Sequence, residues 1–322
     1  MKILTWVKPT WDWMHLWNYL WALKPIIEMS KWKETYVFLP DFHSLTSVHS
    51  WEELKQNRKN VILEFLSVIP EDSDIIIFEQ SKIRRINDIA WVLWSVTPYS
   101  LMLRAHSFKD AQNKGLDLNM ATFNYPILMA ADILAYDINI VPVWKDQKQH
   151  LEFARDIAGY FNRRYNTDLF VLPEPHIEEN VETIPWIDGR KMSKSYKNTI
   201  PLFASKKELK KVIMSIVTDD KWLEEPKNPD ECNVFALIKY FWNNEQIESI
   251  REKYLAWNYW YWHAKLELLD IIDNFVEPFR KRREFLEKNP EIVNSILEKG
   301  NNIANKMADK KYDEISKLIW LN

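Results

Sequence analysis

The chain has 322 residues, long enough for one large or two medium domains, and two domains, each burying its own core, are expected. One cysteine, Cys232, excludes an intrachain disulfide; no apolar run approaches the ~18 residues of a membrane span, and MKILTWVKPT lacks the apolar core and cleavage site of a secretory signal, so a cytoplasmic protein with no membrane role is expected. A net charge of -3 excludes no class of partner, since a small total hides local groups such as Arg280, Lys281, Arg282 and Arg283, read first as a solvated helix face.

In chain order, the first apolar run with β-branched residues is ILTWV (3–7). It leads into KPTWDWMHLWN, where Thr10, His15 and Asn18 surround the start of a helix. Backbone amides at a helix N-terminus attract phosphate, and a hydroxyl, an imidazole and a carboxamide add hydrogen bonds to it. A plain N-cap with a surface histidine is the alternative. Further runs at TYVFLP (35–40), IIIF (75–78) and INIVPV (138–143), separated by segments of helical character, predict a parallel sheet with helices on both faces. Ligands of such sheets sit beyond the carboxyl ends of the strands, which directs interest to the polar residues just after each run.

NYPILMAADIL, before the fourth run, sets Tyr125, Met129 and Asp132 at i, i+4 and i+7, on one helical face. Burying a carboxylate there costs several kcal/mol unless a donor meets it. A ligand N–H or O–H is one candidate donor; a neighbouring helix N-terminus or arginine is the other. Directly after INIVPV, Asp146 and Gln147 stand where they reach the same pocket, with His150 one turn further on.

The polar stretch DGRKMSKSYKN (188–198) is the expected joint between domains and contains Lys191-Met192-Ser193-Lys194-Ser195. By average composition this pentapeptide arises by chance in a chain of this length on the order of one time in ten thousand. Two lysines and two hydroxyls suit the gripping of a polyphosphate as charge moves onto a leaving group, with a solvated basic loop as the bland alternative. Beyond about residue 205 the strand-like runs vanish, and amphipathic segments such as HAKLELLDIIDNFVEPFRKRREFLEK (263–288) predict an all-α second domain. His49, His106, His176 and His263 show no metal-ligand spacing, and no structural zinc is expected.

With these residues in view, the sequence resembles the class I aminoacyl-tRNA synthetases, their tryptophanyl members above all. KMSKS (191–195) matches the second class signature in every position. His15-Leu16-Trp17-Asn18 is similar to the first signature in the form HLGN, with Trp17 in place of glycine. The likeness runs nearly end to end, through DFHSLT (41–46), SVTP (95–98), RAHSFK (104–109), FNYPILMAADIL (123–134), VPVWKDQKQHLE (141–152) and PKNPDECNVFAL (226–237). It implies an α/β fold: a Rossmann-type parallel-sheet nucleotide-binding domain over 1–198 and an all-α, anticodon-contacting domain over 199–322, assembled as a homodimer. The implied activity is activation of L-tryptophan with ATP and Mg²⁺ to tryptophanyl-adenylate, then transfer to tRNA(Trp).

The same resemblance implies the site. ATP falls to Lys8, Thr10, Asn18, the backbone at Trp17 and Trp144, Lys145, Asp146, Ile184 and the five signature residues Lys191, Met192, Ser193, Lys194 and Ser195. His15, Asn18, Lys191 and Lys194 are the expected catalytic groups, the lysines neutralising the departing pyrophosphate. Asp132 is assigned to the indole N–H, Met129 to the ring, and Tyr125 and Gln147 to the α-amino group. Two other readings remain open: the tyrosine enzyme that shares the fold and loop signature, and a non-catalytic RNA-binding paralogue.

The departures form a pattern. PTWDWMHLWNYLWAL resembles PTGDxMHLGNYLGAL, VPVWKDQ resembles VPVGKDQ, and IPWIDGRKMSKS resembles IPGLDGRKMSKS. The chain has 17 tryptophans and 4 glycines, where ordinary glycine usage is roughly 7%. Surplus and deficit match the product of a gene that spells glycine with UGA, read with a table that assigns UGA to tryptophan. Trp91 is the one read as a genuine tryptophan. An indole at 17 or 144 would fill space the nucleotide needs, so the literal chain is expected to fold or bind ATP poorly.

Overall fold

A computed structural model describes residues 1–7, 14–105, 112–113, 115, 118–143, 148–176, 199–219, 225, 227–256 and 259–320. The chain forms two compact units. One comprises Met1–Asp12, Pro25–Glu179 and Asn289–Asn322; the other comprises Trp13–Lys24 and Asn180–Lys288.

Among the described residues the first unit holds five strands, β1 (Lys2–Trp6), β2 (Glu34–Leu39), β3 (Ile76–Glu79), β4 (Ile140–Pro142) and β5 (Glu174–His176), in the order β3-β2-β1-β4-β5. Every pairing is parallel, with Ile3 opposite Thr35 and Ile140, Val37 opposite Ile77, and Val141 opposite Pro175. Burial in β1 and β2 runs along consecutive residues instead of alternating, as a sheet covered on both faces requires. The direction of strand order reverses between β1 and β4, the switch point beyond whose carboxyl ends sheets of this kind place their ligands. The four strands expected from sequence are present within a residue or two of their runs. β5 was not anticipated: three residues, one of them Pro175, give no apolar run, and proline is tolerated because this strand lies at the sheet edge.

Helices α1 (Trp51–Val68), α2 (Ile86–Val96), α3 (Met120–Leu134) and α4 (Lys148–Tyr165) belong to this unit. Local chemistry starts two of them: Ser50 Oγ accepts the Glu53 N–H at 3.3 Å, and Asn119 Oδ1 accepts the Thr122 N–H at 3.0 Å. The last helix, α9 (Pro290–Leu318), also belongs here and packs on edge strand β3. Gly300 makes that approach possible, because a Cβ at this position would collide with the Ile77 carbonyl oxygen and lie 2.6 Å from its carbon. Asn301 Oδ1 accepts the Glu79 N–H at 2.8 Å and its Nδ2 donates to the Glu79 carboxylate at 3.0 Å. One turn on, Asn305 Oδ1 accepts the Arg84 N–H and its Nδ2 donates to the Lys82 carbonyl, both at 2.9 Å. Two amides on one helical face thus satisfy backbone groups at and just beyond the end of β3.

In the second unit, helices α5 (Lys206–Met214), α6 (Asn233–Ile238), α7 (Asn244–Leu255) and α8 (Tyr261–Lys288) form an all-helical array, α8 packing on α5 and α6. Ser205 with Glu208 and Asn243 with Gln246 make reciprocal caps at the starts of α5 and α7. The basic group on α8 is not a uniform solvated face. Lys281 is solvent-exposed, but Arg280 donates to the Ala204 carbonyl at 2.8 Å and to Asp273, while Arg283 lies over the Phe203 ring. Arginines at i and i+3 share an inward-facing side of the helix, and the intervening lysine does not.

Candidate active site

The residues expected to receive the amino acid that the structure describes lie within the first unit. Tyr125, Met129 and Asp132 occupy one face of α3 as the spacing predicts, Met129 and Asp132 buried and Tyr125 half-buried. Asp132 is 1% exposed. Among the described residues its partners are neither a helix N-terminus nor an arginine. His43 Nε2 lies 2.9 Å from Oδ2, and Gln80 Nε2 lies 2.9 and 2.7 Å from Oδ1 and Oδ2. Burial raises the carboxyl above its ordinary range, the hydrogen bonds and charge of His43 and the Gln80 amide oppose that, and Asp41 nearby adds to it. A carboxylate offers about four acceptor positions. Among the described residues Oδ1 accepts from Gln80 alone, which leaves a direction on it for a ligand N–H.

His43 and Gln80 were missed from sequence, yet both follow strand ends: His43 lies in the short helix Asp41–Ser44 after β2, and Gln80 directly follows β3. The rule that selected residues after the other strands would have found them, had DFHSLT and the residue after IIFE been weighed the same way. Asp41 ties the two segments together, accepting from the Ser81 N–H at 2.9 Å, from the Ser81 hydroxyl and from the Phe42 N–H. Tyr125 meets His43 edge-on, and its hydroxyl lies 3.1 Å from His150 Nε2.

The signature residues described in the second unit are His15, Trp17 and Asn18. His15 Nδ1 accepts the Asn18 N–H at 3.3 Å, and Asn18 Oδ1 accepts the His15 N–H at 3.4 Å, a reciprocal cap on the Leu16–Asn18 turn. His15 is therefore an N-cap, but a buried one rather than a surface histidine. With Nδ1 accepting, the neutral ring carries its proton on Nε2. This segment pairs with the chain that follows residues 191–195: Leu16 N–H donates to the Ile200 carbonyl and Leu202 N–H to the Met14 carbonyl, each at 2.8 Å. Two stretches some 185 residues apart in sequence are thus joined by backbone hydrogen bonds. The Trp17 and Trp21 rings lie 4.9 Å apart over a π-helical turn, Tyr19–Leu23.

Lys8, Thr10, Trp144, Lys145, Asp146, Gln147, Ile184, Lys191, Met192, Ser193, Lys194 and Ser195 lie outside the described residues. Among the described residues no group of three His, Cys, Asp or Glu side chains gathers as a metal ion would need.

A family profile described as "tRNA synthetases class I (W and Y)" matches residues 1–277. The tryptophan–tRNA ligase of Fusobacterium nucleatum is 44% identical over 308 residues, 96% of this chain and 94% of that protein. That of Campylobacter jejuni is 38% identical over the full length of both. The crystal structure of the Campylobacter jejuni tryptophanyl-tRNA synthetase complexed with ADP and tryptophan superposes with a TM-score of 0.94 at 37% identity, covering 99% of each chain.

Proposed function

Because the chain belongs to the class I tRNA synthetases, among the tryptophan–tRNA ligases, its activity is that of an aminoacyl-tRNA ligase for tryptophan, and we propose that it works through the residues described above. The tryptophan carboxylate attacks the α-phosphorus of ATP, pyrophosphate leaves, and a terminal ribose hydroxyl of tRNA(Trp) then displaces AMP. The attacking carboxylate is already a nucleophile, so catalysis consists of positioning and neutralisation of charge. Thr10, His15 and Asn18, with the backbone at 17 and 144, hold the nucleotide, joined by Lys8, Lys145, Asp146 and Ile184. Lys191 and Lys194 neutralise the departing pyrophosphate, with Met192, Ser193 and Ser195 in the same signature. Mg²⁺ would arrive with the nucleotide and would add to the neutralisation of phosphate charge that Lys191 and Lys194 provide.

The observation that carries the choice of amino acid is the buried Asp132 carboxylate beside Met129. A site built around a buried hydrogen bond rejects a substrate that lacks the matching donor, so phenylalanine leaves Asp132 short of a partner while tryptophan supplies one. Tyr125 and Gln147 receive the α-amino group. The test is ATP–pyrophosphate exchange with tryptophan, tyrosine and phenylalanine offered singly. Exchange dependent on tryptophan is expected; exchange driven equally by tyrosine overturns the assignment, and binding of tRNA without exchange marks a non-catalytic paralogue. The anticodon contacts fall to residues 199–322, outside the part of α9 that packs on β3. A homodimer is supported by large apolar side chains exposed on and just after α2, Trp91 (67%) and Tyr99 (69%), a surface suited to a second copy of the chain. The enzyme works in the cytoplasm, where its tRNA is charged.

A further inference from the structure

Gln80 stands at the carboxyl end of β3 and is 1% exposed. Its amide is oriented from behind: Oε1 accepts the Phe42 N–H at 3.1 Å, which turns the –NH₂ end toward both Asp132 oxygens. We propose that Gln80 is a positioning residue for substrate selection, holding Asp132 as an ionised acceptor so that the site demands a ring N–H. The proposal rests on the reading of Asp132 as the indole acceptor. An –NH₂ group only donates, and here it reaches both oxygens; protonation would leave one good acceptor in place of two, so the amide favours the carboxylate form that burial disfavours. Among the described residues, the other groups facing this carboxylate are His43 and Asp41 from the segment after β2 and Tyr136 just beyond α3. His43 exchanges donor for acceptor by changing tautomer. Gln80 cannot do so without abandoning the Phe42 N–H.

The test compares tryptophan with its benzothiophene analogue, which has nearly the same shape and no ring N–H, in pyrophosphate exchange by the full chain. Gln80→Glu keeps the side chain's shape and replaces the donor; Gln80→Met removes the donor without adding charge. In either variant kcat/KM for tryptophan is expected to fall about tenfold or more, the scale of a lost hydrogen bond to a charged group. The analogue should lose less than about threefold, since its ring offers Asp132 nothing. The Gln80→Glu loss should ease on acidification, as the introduced carboxyl takes up a proton and becomes a donor. Equal losses for both substrates, or none, overturn the proposal, and whichever variant folds decides. Asp132→Asn separates premise from inference: if it leaves the ratio of the two substrates unchanged, the reading of Asp132 fails. If it collapses that ratio while the Gln80 variants do not, only the role of Gln80 fails.

A different observation carries a second inference. None of the described tryptophans belongs to the buried core, although tryptophan is the largest apolar side chain. Trp32 and Trp51, which no signature covers, are 86% and 69% exposed. Trp320, 90% exposed, follows α9 with φ 61°, the backbone hand that glycine supplies at helix ends. Trp21 Nε1 is buried and has no hydrogen-bond partner among the described residues. We infer that 17, 21, 32, 51 and 320 are glycine in the polypeptide the cell makes, through decoding of UGA as glycine. Codons and intact mass of the protein from its source test this. UGA at these positions, with a mass lower by one indolylmethyl group at each, is expected; UGG, or the mass of the literal chain, overturns it.

Discussion

Replacing Gly300 with alanine is a test in which two effects have opposite signs. In an exposed helix the change stabilises by up to about 1 kcal/mol, since alanine is the better helix former. At this position the new Cβ meets the Ile77 carbonyl, 2.6 Å from its carbon where about 3.5 Å is comfortable, so α9 must retreat by roughly 1 Å. Retreat stretches the four hydrogen bonds that Asn301 and Asn305 make at 2.8–3.0 Å, each contributing about 0.5–1.5 kcal/mol net. Losing half to most of that outweighs the helix gain, and Gly300→Ala is expected to destabilise by about 2 kcal/mol in urea-induced unfolding. Gly159→Ala in α4 is the internal control: its Cβ would meet only the movable end of the Arg163 side chain, so it should be neutral or stabilising by up to about 1 kcal/mol. Equal, unchanged stability for both variants would refute the claim that α9 seats on β3 through bare backbone.

Asp132→Asn is expected to lower kcat/KM for tryptophan by more than about tenfold in the exchange assay. Because burial holds the Asp132 carboxyl above its usual range, its ionisation detracts from stability as pH rises from that range through its raised value; the Asn variant, followed by thermal unfolding across pH, should lack that decline. Trp320→Gly should stabilise by up to about 1 kcal/mol, because an exposed side chain is given up and the left-handed backbone is relieved. A chain with glycine at 11, 17, 21, 144 and 186 should exceed the literal chain in pyrophosphate exchange, and equal rates would count against the steric reading of those positions.

The sheet's first four strands were legible because a parallel sheet covered on both faces writes itself as unbroken apolar runs, as at IIIF and INIVPV. β5 was not, because Glu-Pro-His pairs through its backbone while offering no apolar pattern. Asp132 stood out as the carboxylate of an otherwise apolar helix. Gln80 did not, since a glutamine beside a serine and a lysine reads as a surface turn; only the fold reveals that its amide is turned inward by Phe42. The nucleotide signatures were legible by resemblance, whereas the backbone ladder joining Met14–Leu16 to Ile200–Leu202 depends on pairing distant in sequence that no local pattern encodes.

α9 is synthesised after the whole of the helical unit, yet it closes over a strand made some two hundred residues earlier. Translation proceeds at about 5–20 residues per second, so a nascent chain carries the open rim of β3 for ten seconds or more before its cover arrives. The intervening helical unit, whose pieces are complete by Lys288, has its whole sequence available before the unit that starts the chain does. Ribosome stalling or premature termination near residue 290 would therefore release a chain with an uncapped sheet edge, the form most prone to pair with another of its kind.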